Sequence, residues 1–204
     1  MVKSITEKCS AKINIAIDVL GKYPNGYHEV RMIMTQVGIF DVITISLKDE
    51  EGIEIAGSDI NMPVDESNLA WKAANEFFKA IKFDGGCDIY IEKHIPMGAG
   101  MAGGSSDAAG VINGLNKLLD SPLSLEERMK MGEKLGADVP FCVMGGCALA
   151  EGIGERLTVL PELPEVCYLI AKPIQSISTK WVYEHLDYNL SLIHISEPTR
   201  HSLI

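Results

Sequence analysis

Alternation of apolar and polar side chains dominates the opening of the chain. In "KINIAIDVLG", Ile13, Ile15 and Ile17 fall on one face and Lys12, Asn14 and Ala16 on the other, which predicts a strand. "YPNGYH" interrupts it, with Pro24, Asn25 and Gly26 as turn residues. "EVRMIMTQVGIF", "DVITISLKD" and "GIEIAG" read as three further strands. The period then lengthens: in "SNLAWKAANEFFKAI", Leu69, Ala73, Phe77 and Ile81 share one helical face. "CDIYIEKHI" returns to period two. Ala108, Val111, Ile112, Leu115, Leu118 and Leu119 then resume helical spacing. "SLEERMKMGEKLG" is a short helix with a capping box from Ser124 to Glu127 and Gly136 as its stop. "CALAEGIGERLTVL" and "CYLIAKP" read as strands, and "STKWVYEHL" as a helix opened by a Ser/Thr cap. Strands grouped first and mixed with helices later imply an α+β fold.

Between the "CDIYIEKHI" strand and the helix after it lies "PMGAGMAGGSSDAAG", which contains G-x-G-x-x-G at Gly98, Gly100 and Gly103. Such a run holds either the pyrophosphate of a dinucleotide or the phosphates of ATP. A dinucleotide fold needs a second parallel strand ending in an acidic residue about 20 residues on. Here the helix leads instead to a turn and another helix, and no strand delivers Asp120. Nor is there a G-x-x-x-x-G-K-[ST] loop. What remains is a cradle made of backbone N–H groups at a helix start near Ser105, where unpaired amides and the helix dipole attract anions. Ser105 and Ser106 can cap that helix or offer hydroxyls to phosphate. The plain alternative, a flexible strand-to-helix turn, needs far fewer glycines. Gly110 and Gly114 within the helix imply close packing against a neighbour.

Composition narrows the partners. A net charge of −10 over 204 residues argues against nucleic acid or an anionic membrane surface. The five cysteines, Cys9, Cys87, Cys142, Cys147 and Cys167, show no metal spacing and read as reduced, mostly buried thiols. With no signal peptide and no stretch long enough to span a bilayer, the expectation is a soluble, cytoplasmic protein.

Two charges stand where few are expected. Asp138 lies in "LGADVPFCVMGG", the least charged stretch, and is either a cap or turn residue or a working acid–base group. Lys12 shares a strand face with Asn14, and is either solvated there or part of a site. Sequence alone does not show that the two meet.

These residues resemble a known family. "PMGAGMAGGSSDAAG" is similar to the phosphate loop of the GHMP kinases, the superfamily of galactokinase, homoserine kinase and mevalonate kinase. "SAKINIAIDVLGKYPNGYHEV", "KHIPMGAGMAGGSSDAA", "LGADVPFCVMGGCALAEGIGE" and "AKPIQSISTKWVY" resemble, in order, segments of the branch acting on 4-diphosphocytidyl-2-C-methyl-D-erythritol in non-mevalonate isoprenoid synthesis. The likeness runs from residue 8 to about 187. It implies a two-domain α+β fold: a ribosomal protein S5 domain 2-like ATP-binding domain over 1–160, and a second, substrate domain begun over 161–189. It further implies transfer of the γ-phosphoryl group of ATP, with Mg²⁺, to the 2-hydroxyl of a small molecule carrying a cytidine diphosphate group. ATP would lie against Pro96, Met97, Gly98, Ala99, Gly100, Met101, Ala102, Gly103, Gly104, Ser105 and Ser106, with Asn68 and Lys93 near the adenine. Asp138 corresponds to the catalytic base and Lys12 to its partner lysine. Asn14 lines the substrate end, and Tyr27, His28 and Tyr183 hold the cytosine, the aromatics by stacking and the histidine by hydrogen bonding.

The match stops short of the tail. "LSLIHISEPTR", Leu190 to Arg200, reads like a translation of a sequencing-library transposase adapter, so residues 190–204 are expected to be foreign to the family and the second domain truncated. The alternative is a divergent tail with "SLIHI" as an edge strand. Three other readings stay open: a homoserine- or mevalonate-type kinase, an inactive nucleotide-binding fragment and, least favoured, a dinucleotide oxidoreductase.

Overall fold

The computed structural model describes residues 3–172, 181–182 and 185. Its frame is a six-stranded sheet built around one long hairpin. Strand β1 (Ser4–Lys22) pairs antiparallel with β2 (His28–Lys48) along nearly its whole length. The apparent break at "GIF-DV" is absent: β2 runs unbroken through Phe40 and Asp41 where two strands were expected. Its later half pairs with β4 (Gly86–Glu92), and its earlier half with β5 (Cys147–Gly152). β3 (Gly52–Gly57) lies parallel to β4, and β6 (Arg156–Val159) closes the other edge against β5.

Four helices supply the second layer. α1 (Leu69–Ile81) buries Ala73 and Phe77 as its periodicity requires. α2 (Gly103–Leu118) is the central one and is buried on most of its surface, including Val111, Ile112 and Leu115. α3 (Leu125–Glu133) starts at the expected capping box, in which Ser124 and Glu127 exchange both bonds. α4 (Val139–Met144) was not foreseen, because a six-residue apolar stretch carries no helical period of its own. Its one signal was Pro140 just inside the start, where a missing N–H is harmless.

Two glycines set how deeply α2 seats. A methyl group on Gly110 would collide with Cys9 Sγ of β1, and one on Gly114 would come within 2.7 Å of Ile45 Cδ1 of β2. Side-chain-free positions therefore let the helix lie directly on the sheet, as the sequence implied. Around this contact Phe77, Phe141, Met34, Ile43, Ile45 and Ile89 form the core. Cys9, Cys87, Cys142 and Cys147 are buried and Cys167 is exposed, in line with their reading as free thiols.

Two local expectations change. "CYLIAKP" is not a strand over its described residues 167–172, and Leu169 there is fully exposed. The alternation in β1 does not mark an inside and an outside either: Ile15 and Ile17 are exposed while Lys12 is buried. Beyond Ile13 no residue of β1 is buried, whereas the β2 residues opposite it, Val30, Met32 and Met34, belong to the core. The helix expected in "STKWVYEHL" and the adapter-like tail lie largely or wholly outside the described residues.

Candidate active site

The glycine run forms the turn from β4 into α2, and its backbone accounts for its composition. Gly98, Gly100 and Ala102 all adopt left-handed φ, at 64°, 70° and 57°. Glycine takes such angles freely, whereas an alanine there is strained. Ala102 is also the N-cap of α2 and makes no side-chain capping bond. The helix begins at Gly103, two residues earlier than expected, and its first regular bond runs from Ser106 N–H to the Ala102 carbonyl. The amides of Gly103, Gly104 and Ser105 therefore precede the ladder, at the positive end of a 16-residue helix. This arrangement suits an anion.

Apolar anchors hold the loop. Met101 and Ile95 are buried against Ala11 of β1, so Met101 fixes the loop rather than facing a ligand. Ser106 is likewise buried, and its hydroxyl donates to the Ser10 carbonyl at 2.5 Å. That bond ties α2 to β1. Met97, Gly98, Gly100 and Gly104 remain exposed.

Lys12 reaches the same place from β1. Its backbone N–H donates to the Met101 carbonyl at 3.1 Å, which fastens the strand to the loop. Its side chain is almost wholly buried, with Nζ 3.2 Å from Asp138 Oδ1 and 3.1 Å from Asn14 Oδ1. The solvated reading of Lys12 is thereby excluded. Asp138 occupies the N-cap position of α4 yet makes no capping bond; its carboxylate faces Lys12 instead. The fold thus joins residues far apart in sequence: Lys12, Asn14, the loop and Asp138.

Asn68 and Lys93 both border the helix start: a Cβ on Gly103 would lie 3.4 Å from Lys93 Nζ, and one on Gly104 3.7 Å from Cδ1 of Leu69, next to Asn68. Asn68 is the N-cap of α1, accepting from Ala70 N–H and donating to the Pro63 carbonyl, so both ends of its amide are engaged in the cap. The Lys93 ammonium is held by Asp41 and Asp107. Tyr27 and His28 lie at the tip of the β1–β2 hairpin, and Tyr27 is 59% exposed. Asn14 pairs with Met34, six residues after His28 at the tip, about 20 Å in a straight strand. Register shifts at Asn14/Ala16 and Val19/Gly21 bend that arm. Tyr183 lies outside the described residues.

Sequence reasoning missed Asp41 and Asp107. Asp41 was hidden because the strand was divided at that residue, which made its carboxylate look like turn chemistry. The usable signal was a charge flanked by apolar residues, "GIFDVITI", the criterion that found Asp138.

Comparison with known proteins agrees with this layout. The N-terminal domain model of the GHMP kinases matches residues 68–146, which include the loop, α2 and Asp138. A protein of Lachnospira eligens named 4-diphosphocytidyl-2-C-methyl-D-erythritol kinase is 50% identical over 186 residues, covering 91% of this chain and 65% of that protein. This chain therefore spans just under two thirds of that relative's length. A crystal structure of 4-(cytidine 5'-diphospho)-2C-methyl-D-erythritol kinase superposes with a TM-score of 0.67 at 35% identity, over 76% of this chain and 55% of that one. Homoserine kinase from Cytophaga hutchinsonii shares the fold, with a TM-score of 0.65 at 19% identity over 95% of this chain and 63% of that one. Residues 68–146 thus belong to the N-terminal domain family of the GHMP kinases, and relatives about half identical to this chain bear the name 4-diphosphocytidyl-2-C-methyl-D-erythritol kinase.

Proposed function

We propose that this chain is the ATP-binding and transfer portion of a small-molecule kinase that moves the γ-phosphoryl group of ATP to the 2-hydroxyl of 4-diphosphocytidyl-2-C-methyl-D-erythritol. The observation that carries this reading is the Lys12–Asp138 pair at 3.2 Å, fastened to the glycine loop through Lys12 N–H and the Met101 carbonyl. The names of the relatives supply the substrate, and the site supplies the chemistry. On this reading residues 1–160 are the ATP-binding domain, and 161–189 begin the substrate domain.

Phosphoryl transfer asks a protein mainly for positioning and charge stabilisation. The amides of Gly103, Gly104 and Ser105 hold phosphate oxygens by hydrogen bonds and the α2 dipole. Asp138 accepts a hydrogen bond from the substrate hydroxyl and orients it. A carboxylate is too weak to ionise an alcohol beforehand, so it takes the proton as the new P–O bond forms and the bond to ADP breaks. Lys12 offsets charge on the transferring group, and Asn14 fixes the Lys12 ammonium. Among the described residues no group of three or more His, Cys, Asp or Glu could hold a metal ion. On this reading Mg²⁺ would arrive bound to the nucleotide, where it would neutralise phosphate charge.

Tyr27, His28 and Tyr183 are the residues proposed for the cytosine. A cytoplasmic location belongs to the same reading: the thiols are free, and among the described residues no helix is long and apolar enough to cross a membrane. The test is ADP release by the chain with ATP and Mg²⁺, comparing the cytidyl substrate with homoserine. ADP formed with the cytidyl substrate alone is the expected result. Turnover of homoserine instead would overturn the substrate assignment. Nucleotide binding without turnover of either would favour a nucleotide-binding fragment.

A further inference from the structure

Behind the glycine loop lies a sealed cluster of three charges that the transfer chemistry does not use. Lys93, the first residue after β4, places Nζ 2.5 Å from Asp41 Oδ2 of β2 and 2.7 Å from Asp107 Oδ2 of α2. The Asp41 side chain is fully buried, and that of Asp107 is 4% exposed. The second oxygen of Asp41 accepts backbone N–H bonds from His94 at 2.5 Å and Ile95 at 2.8 Å.

The arrangement grips both ends of the loop. Residues 93–95 lead into it, and Asp107 stands just past its exit on the second turn of α2. Contact with the helix start is direct: a Cβ on Gly103 would lie 3.2 Å from Ile95 Cγ2 and 3.4 Å from Lys93 Nζ. Between these ends the chain takes three left-handed residues in five positions, a conformation that local preference alone does not hold.

As a source of stability the cluster is a poor choice. Desolvating three charges offsets most of their attraction, and apolar replacements of such groups are often neutral or stabilising. Asp107 Oδ1 is also buried without a hydrogen-bond partner, which carries a further penalty. A group that adds little stability but joins three elements at one loop acts on geometry.

We propose that Asp41, Lys93 and Asp107 are positioning residues that clamp the two ends of the glycine loop and preset the α2 amides for phosphate. Lys93 acts through Asp107 on the helix, rather than on the nucleotide base. The inference rests on the phosphate-loop reading above, but the clamp itself can be tested without any ligand.

The experiment uses the full 204-residue chain and two variants, Asp107→Ala and Asp107→Asn. Alanine removes the tie to Lys93 and leaves the Lys93–Asp41 pair intact; asparagine keeps an acceptor of the same shape. Hydrogen exchange is read at loop residues 97–105 and, as reference, in β2 and α1, without nucleotide. Mg-ADP affinity is measured on the same samples. Asp107→Ala is expected to speed loop exchange by about tenfold while the reference amides hold, and Asp107→Asn to stay near wild type. Mg-ADP affinity should weaken by a similar factor for alanine only. Unchanged loop exchange in Asp107→Ala would overturn the clamp, and so would a uniform loss of protection across sheet and helices. Wild-type chain that fails to bind Mg-ADP would overturn the phosphate reading instead, leaving loop exchange to decide the clamp.

Discussion

Lys12 and Lys93 both meet carboxylates close to the glycine loop, and the contrast between them separates chemistry from architecture. The lysines themselves are equally enclosed, with side chains 6% and 7% exposed. Their partners differ. Lys12 faces one carboxylate, Asp138, which is 34% exposed, whereas Lys93 faces two that are almost sealed. A substrate hydroxyl can reach Asp138, but nothing from solvent reaches Asp41. Charge balance differs too: one lysine against one carboxylate at the first group, one against two at the second. Burial raises the Asp107 carboxyl to about 7, Lys93 opposes the rise and Asp41 adds to it. Burial alone would lower Lys93, but its two carboxylates outweigh that and raise it overall.

The sharpest way to break the contrast is to remove each lysine. Lys93→Met leaves two buried carboxylates without a counter-charge and should lower folding stability by about 3–5 kcal/mol in urea denaturation. A loss under about 1 kcal/mol would mean that the sealed group is hydrated after all. Lys12→Met should act on turnover instead, reducing ADP formation by about a hundredfold. Its stability should change by less than about 1 kcal/mol, because Asp138 still touches water. If the two variants gave the same pattern, the distinction drawn here would not stand.

A smaller effect comes from pH. Asp107 holds its proton up to about 7 in the fold but releases it near 3.8 when unfolded. The folded state therefore binds more protons between those values, so this group's contribution to stability falls as pH rises through the window and is level above it. Burial also pushes up the neighbouring thiols Cys9 and Cys142, the latter to about 12, so neither titrates in that range. Asp107→Asn should consequently gain stability relative to wild type between about pH 4 and 7, measured by Tm across that range. A difference that stays constant with pH would show that Asp107 is ionised throughout.

Much of this was legible along the chain. α1 and α2 follow their apolar periods, the capping box of α3 lies where expected, and the glycine run sits between a strand and a helix as its flanks imply. Gly110 and Gly114 announced the close seat of α2 on the sheet. What could not be read was long-range: the meeting of Lys12 with Asp138 depends on β1 and α4 converging on the loop, and no periodicity encodes that. α4 was too short to show a period. Nor do the motifs that place Asn68 and Ser106 at the nucleotide show the bonds their side chains make in the fold, Asn68 within and beside its cap and Ser106 to the distant Ser10 carbonyl. The exposed isoleucines of β1 show the converse limit: alternation reports a strand, and burial depends on what else packs there.

The central claim is that Asp138 serves the transfer step and not the binding of nucleotide or the fold. Its most direct test measures ADP formation and Mg-ADP affinity together in wild type and Asp138→Asn, with ATP, Mg²⁺ and the cytidyl substrate. The account expects turnover to fall by about 10²–10⁴-fold while Mg-ADP affinity and Tm stay close to wild type. Turnover retained within a few-fold would contradict it, and so would a loss of affinity large enough to explain the loss of rate.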